Sequence, residues 1–188
     1  MTDRVREIVQ AIVEGEGSAW GESGFFVVGV ACKGAAGDEI EVVVDSDGES
    51  GVGIDDCAAL SREISARVEV ELGEQLPDFS LVVMSAGLGQ PLRLGRQYRK
   101  IMQRALAGDT LPKVDVLFRD GRKLAGVVLC GIGYGGDTDG EEDIPSAIEV
   151  AYTVRELVPG KKRKVDVERR EQIALAETKA VSEHFEFK

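Results

Sequence analysis

Between residues 86 and 95 the chain reads AGLGQPLRLG, a stretch with a proline, several glycines and no apolar period. Such a segment continues neither a helix nor a strand, and the patterns on its two sides differ. It therefore predicts a boundary between two cores. A length of 188 residues suits that division, being long for one compact domain and short for two average ones. The boundaries expected are an α/β domain over 1–88, a linker over 89–97 and a β-rich domain over 98–188.

The first half alternates helical and strand periods. Val5, Ile8, Val9, Ile12 and Val13 recur at helical spacing behind Thr2 and Asp3, which suit an N-cap and a first-turn acid. The runs from Phe25 to Cys32 and from Glu39 to Asp45 read as strands of a hairpin joined by KGAAGD, with Ile40, Val42 and Val44 on one face. Cys57, Leu60, Ile64, Val68 and Leu72 then mark one face of a helix whose first turn carries Asp55 and Asp56, where the helix dipole favours acid. Phe79, Leu81 and Val83 alternate as a third strand. The order is α-β-β-α-β, a two-layer unit.

Beyond the boundary, RQYRKIMQR reads as a short basic helix or turn. The runs KVDVLF, KLAGVVLC, AIEVAYTV, RKVDVE and HFEF read as short strands around glycine turns such as Asp120-Gly121. They predict a small antiparallel barrel, and the fold class expected for the whole chain is α+β.

Hydrophobic residues make up 43% of the chain and charged ones 30%, enough apolar material for real cores. The longest strand-like apolar run falls well short of the roughly 18 residues that a membrane span needs. The first ten residues lack a signal-peptide core, and Cys32, Cys57 and Cys130 are odd in number and too far apart for CxxC chemistry. A cytoplasmic protein of bacterial type, with no membrane partner, is expected.

The net charge of −11 is unevenly spread. Residues 1–90 carry 18 Asp and Glu against 5 Lys and Arg, net −13, and residues 91–188 carry 16 against 18, net +2. Two surfaces, or two partners, are implied. The basic side is densest over Arg93, Arg96, Arg99, Lys100, Arg104, Lys113, Arg119, Arg122 and Lys123, with Tyr98 the one aromatic among them, and again at Lys161, Lys162, Arg163 and Lys164. The alternative for such runs is a solvated charged face.

Motifs of catalysis and cofactor binding lack their context. Gly131, Gly133 and Gly136 match GxGxxG, but acids follow where a phosphate-binding helix should start, so a hairpin loop is expected there. Asp45, Asp47 and Glu49, with Asp56 at the twelfth position, imitate a calcium loop, yet Ser50 stands where its sharp-turn glycine belongs. His184 is the only histidine and reads as surface, leaving no base for a Ser or Cys nucleophile. Neither catalysis nor a cofactor is expected, nor a metal or a small-molecule substrate.

VVVDSDGESGVGIDDCAALSREISARVE, FSLVVMSAGLGQPL and VDVLFRDGRKLAG, in that order and spacing, resemble the RimP family of bacterial ribosome maturation factors. The resemblance implies an N-terminal α/β domain followed by an SH3-like or Sm-like barrel. It also implies a non-catalytic assembly factor that binds the immature small ribosomal subunit through rRNA and a basic ribosomal protein, and a monomer is expected. Matching motif positions are Gly87, Leu88, Pro91 and Leu92 at the junction and Asp55, Asp56 and Cys57 at the helix start. Gln90 stands where the family usually has Arg, and Arg93 and Arg96 could substitute. The ribosome-facing residues expected are Asp45, Asp47, Asp55, Asp56, Gly87, Leu88, Pro91, Arg93, Arg96 and Arg99. The alternatives are a generic Sm-like or SH3-like RNA- or protein-binding adaptor and, behind it, a nucleotide-dependent enzyme.

Overall fold

The computed structural model describes all residues except 49, 88, 136–142, 158, 160–162 and 186–188. The chain divides into two compact units, Met1–Gly87 and Leu88–Lys188, each with its own hydrophobic core and its own sheet.

In the first unit, helix α1 (Thr2–Val13) turns Val5, Val9 and Val13, all fully buried, onto the sheet. A single helical turn, α2 (Ala19–Glu22), follows, with the Ser18 hydroxyl accepting the Gly21 N–H; four residues are too few to leave a period in the sequence. Strands β1 (Phe25–Lys33) and β2 (Glu39–Ser46) pair antiparallel, and β3 (Ser80–Ser85) runs parallel to β2, giving the order β1-β2-β3. The parallel step requires a crossover, which is helix α3 (Ile54–Leu72). Its Leu60, Ile64, Val68 and Leu72 fall at four-residue spacing and are buried against Ile40, Val42 and Val44. Full burial of each such side chain is worth about 1.5–3 kcal/mol.

In the second unit, helix α4 (Gly95–Ala107) is a full 13-residue helix. The segment expected as a linker over 89–97 is therefore structured from residue 91. Pro91 bridges Ser182, the Leu92 N–H donates to the Val181 carbonyl at 2.7 Å, and Gly95 opens the helix. The strands are β4 (Lys113–Phe118), β5 (Lys123–Gly133), β6 (Ala147–Glu156), β7 (Val165–Ala174) and β8 (Thr178–Glu183), ordered β7-β6-β5-β4-β8 and all antiparallel. The last described strand is TKAVSE, whose pairing with β4 runs over residues 178–183; of the expected HFEF strand, residues 186–187 lie outside the described residues.

The expected closed barrel is not formed among the described residues. After β7 the chain passes through a 3-10 turn (Leu175–Glu177) to the edge of β4, and no β7–β8 ladder closes the ring. β7 remains an edge strand, with Glu168, Arg169 and Arg170 exposed in the manner of charged edges that discourage further pairing.

Candidate functional site

The acidic candidates of the first unit gather at one end of its sheet. β2 and β3 are parallel, so both leave the sheet at the same end, and the chain from β2 enters α3 there. Asp45 is the last but one residue of β2, and its Oδ1 accepts the Ser46 N–H at 2.7 Å. The Asp47 N–H donates to the Gly24 carbonyl at 3.0 Å, and the Gly48 N–H to the Ser46 hydroxyl at 3.1 Å, which folds the turn back on the start of β1. At the head of α3 the Asp56 Oδ2 accepts the Gly53 N–H at 2.8 Å, satisfying a donor outside the helix, while Asp55 is exposed in the first turn. Gly87 follows from β3, whose exit is fixed by the Ala86 N–H on the Val44 carbonyl at 2.8 Å. The Cys57 thiol lies in the same neighbourhood. Burial, then the Asp56 carboxylate, pushes its pKa up, which leaves it a poor nucleophile.

The other candidates lie in the second unit, except Leu88, which is outside the described residues. Pro91 belongs to the β8 edge, as above. Arg93 and Leu94 donate their backbone N–H groups to Gln97 Oε1 at 2.9 and 3.2 Å, satisfying a buried side chain. The Arg93 guanidinium is exposed and has no partner among the described residues.

Arg99 is committed within its own unit. Its guanidinium grips Asp143 in a two-point contact at 2.8 and 3.1 Å and donates to the Tyr134 hydroxyl at 2.7 Å. Asp143 also accepts the Arg96 N–H at 2.5 Å and the Tyr134 hydroxyl at 2.7 Å, and its own carbonyl takes the Gly95 N–H at 2.7 Å. It thus caps α4 from the β5–β6 connection. Burial works to raise the Asp143 pKa, but the donors from Arg99, Tyr134 and Arg96 outweigh it and hold the carboxyl below its usual value. The bond to Asp143 in turn raises the Arg99 guanidinium. A side chain at Gly95 would collide with the Tyr134 hydroxyl and Asp143 Oδ1, which explains a glycine at the first helical position.

The rest of the basic run is paired in the same way. Arg104 meets Glu183, Arg122 meets Glu171 at 3.6 Å and lies over the Phe118 ring, Lys123 is 3.9 Å from Asp115, and Arg119 donates to the Ala176 carbonyl at 2.9 Å. His184, expected as plain surface, is about a quarter exposed and meets Asp115 at 2.8 Å; the same carboxylate oxygen accepts the Gly126 N–H at 2.8 Å. Lys161, Lys162, Glu49 and the acids of 137–142 lie outside the described residues.

Gly131 and Gly133 are strand residues of β5, and the next element is β6 rather than a helix; Gly136 is outside the described residues. Among the described residues no group of three or more His, Cys, Asp or Glu is placed to hold a metal ion, and no helix is long and apolar enough to cross a membrane. Sequence reasoning missed the Asp143 clamp, whose partners lie 44 and 47 positions away and leave no local signal. It also missed Trp20, whose indole N–H donates to Glu63 Oε2 at 2.9 Å.

Residues 17–89 match the family model of the RimP N-terminal domain. The chain is 40% identical over 104 residues to a protein of Chlorobium phaeobacteroides named Ribosome maturation factor RimP, covering 53% of this chain and 58% of the relative. Proteins of the same name from Chlorobium luteolum and Prosthecochloris aestuarii are 42% and 40% identical over 106 and 111 residues. Those matches cover 54% and 56% of this chain and 58% and 62% of the relatives. The chain thus spans about three fifths of the length of the curated relatives it matches. Over residues 17–89 the chain carries a RimP N-terminal domain, and it is similar to ribosome maturation factors of the RimP family.

Proposed function

We propose that this protein is a non-catalytic ribosome maturation factor of the cytoplasm that binds the immature small ribosomal subunit. The observation that carries the reading is the match of residues 17–89 to the RimP N-terminal domain, joined by relatives that bear the name ribosome maturation factor. In this reading the first unit is the N-terminal domain, and the second is an open-edged counterpart of the family's SH3-like or Sm-like domain. The protein acts as a monomer.

Its binding divides by charge. The acidic end of the first unit, with Asp45, Asp47, Asp55, Asp56 and Gly87, meets a basic ribosomal protein. Arg93, together with Leu88, Pro91 and Arg96, meets rRNA. Arg99 acts indirectly, by holding α4 through Asp143. The pairing of Arg99, Arg104, Arg122 and Lys123 with acids of their own unit favours an assembly factor over a general RNA-binding adaptor, which needs unpaired cations for phosphate.

Co-sedimentation of the full chain with purified small subunits, with large subunits as control, tests the reading. Recovery with small subunits alone is expected. Equal recovery with both, or none with either, would overturn it.

A further inference from the structure

The first unit carries a second acidic feature, on the helices rather than at the sheet end. A groove of about 600 Å³ runs between α1, the turn into α2, and α3. Its floor is apolar, with Ile8 buried and Ile12 half-buried. Trp20 forms one wall, its ring edge-on to Phe25 at 5.1 Å between centroids and its N–H held by Glu63. The rim carries Glu7, Glu16, Glu63 and Glu71 against Arg4 and Arg67.

Four carboxylates against two arginines leave the rim net negative. Arg67 is paired with Glu71 and Arg4 donates to Gln75 at 3.1 Å. Glu7 and Glu16 are exposed and have no hydrogen-bond or ion-pair partner among the described residues. An apolar floor, an indole wall and uncompensated carboxylates on the rim together complement one chemistry, a cationic side chain beside an apolar one. Nucleic acid is repelled by such a rim. A drug-sized ligand would need a site that is largely enclosed and mostly apolar, which this open, carboxylate-rimmed groove is not. Helix α1 supplies much of the lining and lies outside the matched residues 17–89, so the family match assigns no role to it.

We infer that this groove docks a lysine- or arginine-bearing amphipathic segment of a ribosomal protein, an apolar side chain seated on Ile8 and Ile12 and cations at Glu7 and Glu16. The source of the segment, though not its chemistry, rests on the function proposed above.

Trp20 is the only tryptophan in the chain, so its fluorescence reports on the groove directly. The probe is a synthetic peptide of alternating lysine and leucine, titrated into the full chain. A saturable change in emission is expected, weakened about tenfold in the Glu7→Lys, Glu16→Lys double variant, whose substitutions are at exposed positions. No response, equal affinity of the double variant, or an equal response to a polyglutamate peptide would overturn the inference. Sedimentation of the chain with small subunits alongside a silent Trp20 removes the groove and leaves the proposed function standing. A Trp20 response in a chain that does not sediment with small subunits removes the ribosomal source assigned here.

Discussion

The two units handle charge in opposite ways. In the first, carboxylates outnumber cations by 18 to 5 over residues 1–90, so most acids have no cation to meet, and stability rests on the apolar faces of α1, α3 and the sheet. In the second, the charges are nearly balanced and largely consumed internally, through Arg99–Asp143, Arg104–Glu183, Arg122–Glu171, Arg155–Asp166 and Arg169–Glu156. Charge counted along a sequence is therefore not charge available to a partner. The near-neutral unit offers fewer usable cations than its basic run suggests, whereas the acidic unit keeps a net negative charge because its carboxylates far outnumber its cations.

The largest expected effect lies in the core of the first unit. Leu60→Ala removes a fully buried side chain between α3 and β2 and should cost about 3 kcal/mol, read from hydrogen exchange of the α3 amides. A cost below that of any single pair in the second unit would break the contrast. Next comes Gly95→Ala, whose new methyl group would displace Tyr134 and Asp143. A loss of about 2 kcal/mol is expected in the α4 amides, with α3 exchange unchanged.

Asp143→Asn should cost about 1 kcal/mol, discounted because the carboxylate is a third exposed. It also carries a pH signature. Because the folded carboxyl titrates below its unfolded value of about 4, its stabilisation is present above that value and is lost as pH falls through the lower folded one. Protection of the α4 amides, corrected for the intrinsic exchange rate at each pH, should fall in acid for the wild type, and the Asn variant should show a flatter profile. Equal slopes would place the cap elsewhere. Smallest is Arg155→Ala on the β6–β7 ribbon, where both partners are more than half exposed and a change under about 0.5 kcal/mol in thermal stability is expected.

Much of this was legible in the sequence because it is local. Leu60, Ile64, Val68 and Leu72 announce α3 by spacing alone, and Ile40, Val42 and Val44 announce the buried face of β2. Tyr98 stands out in the sequence only as the one aromatic in the basic run. It lies on the buried face of α4, fully enclosed, and burial pushes its hydroxyl pKa well above the usual value. The basic run reads as a short helix or turn, and its full length to Ala107 was less legible because part of the α4 cap comes from distant Asp143, beside the local one from Gln97. Asp143 itself read as one acid among many in a loop. The parallel pairing of β2 with β3, the Asp115–His184 contact and the open edge at β7 are likewise choices between distant segments, made by packing and not by propensity.

The central claim is that the acidic end of the first unit is itself a binding surface. The direct measurement is the affinity of the full chain for purified small subunits across a salt series, comparing the wild type with Asp45→Lys, Asp47→Lys, Asp55→Lys combined. An Arg93→Glu chain, expected to lower the salt slope by about one unit, serves as the reference for a phosphate contact. Weaker binding by the triple variant, despite its more positive charge, is the predicted result. Tighter binding by that variant would contradict the account and leave general attraction to RNA as the force that holds the protein to the subunit.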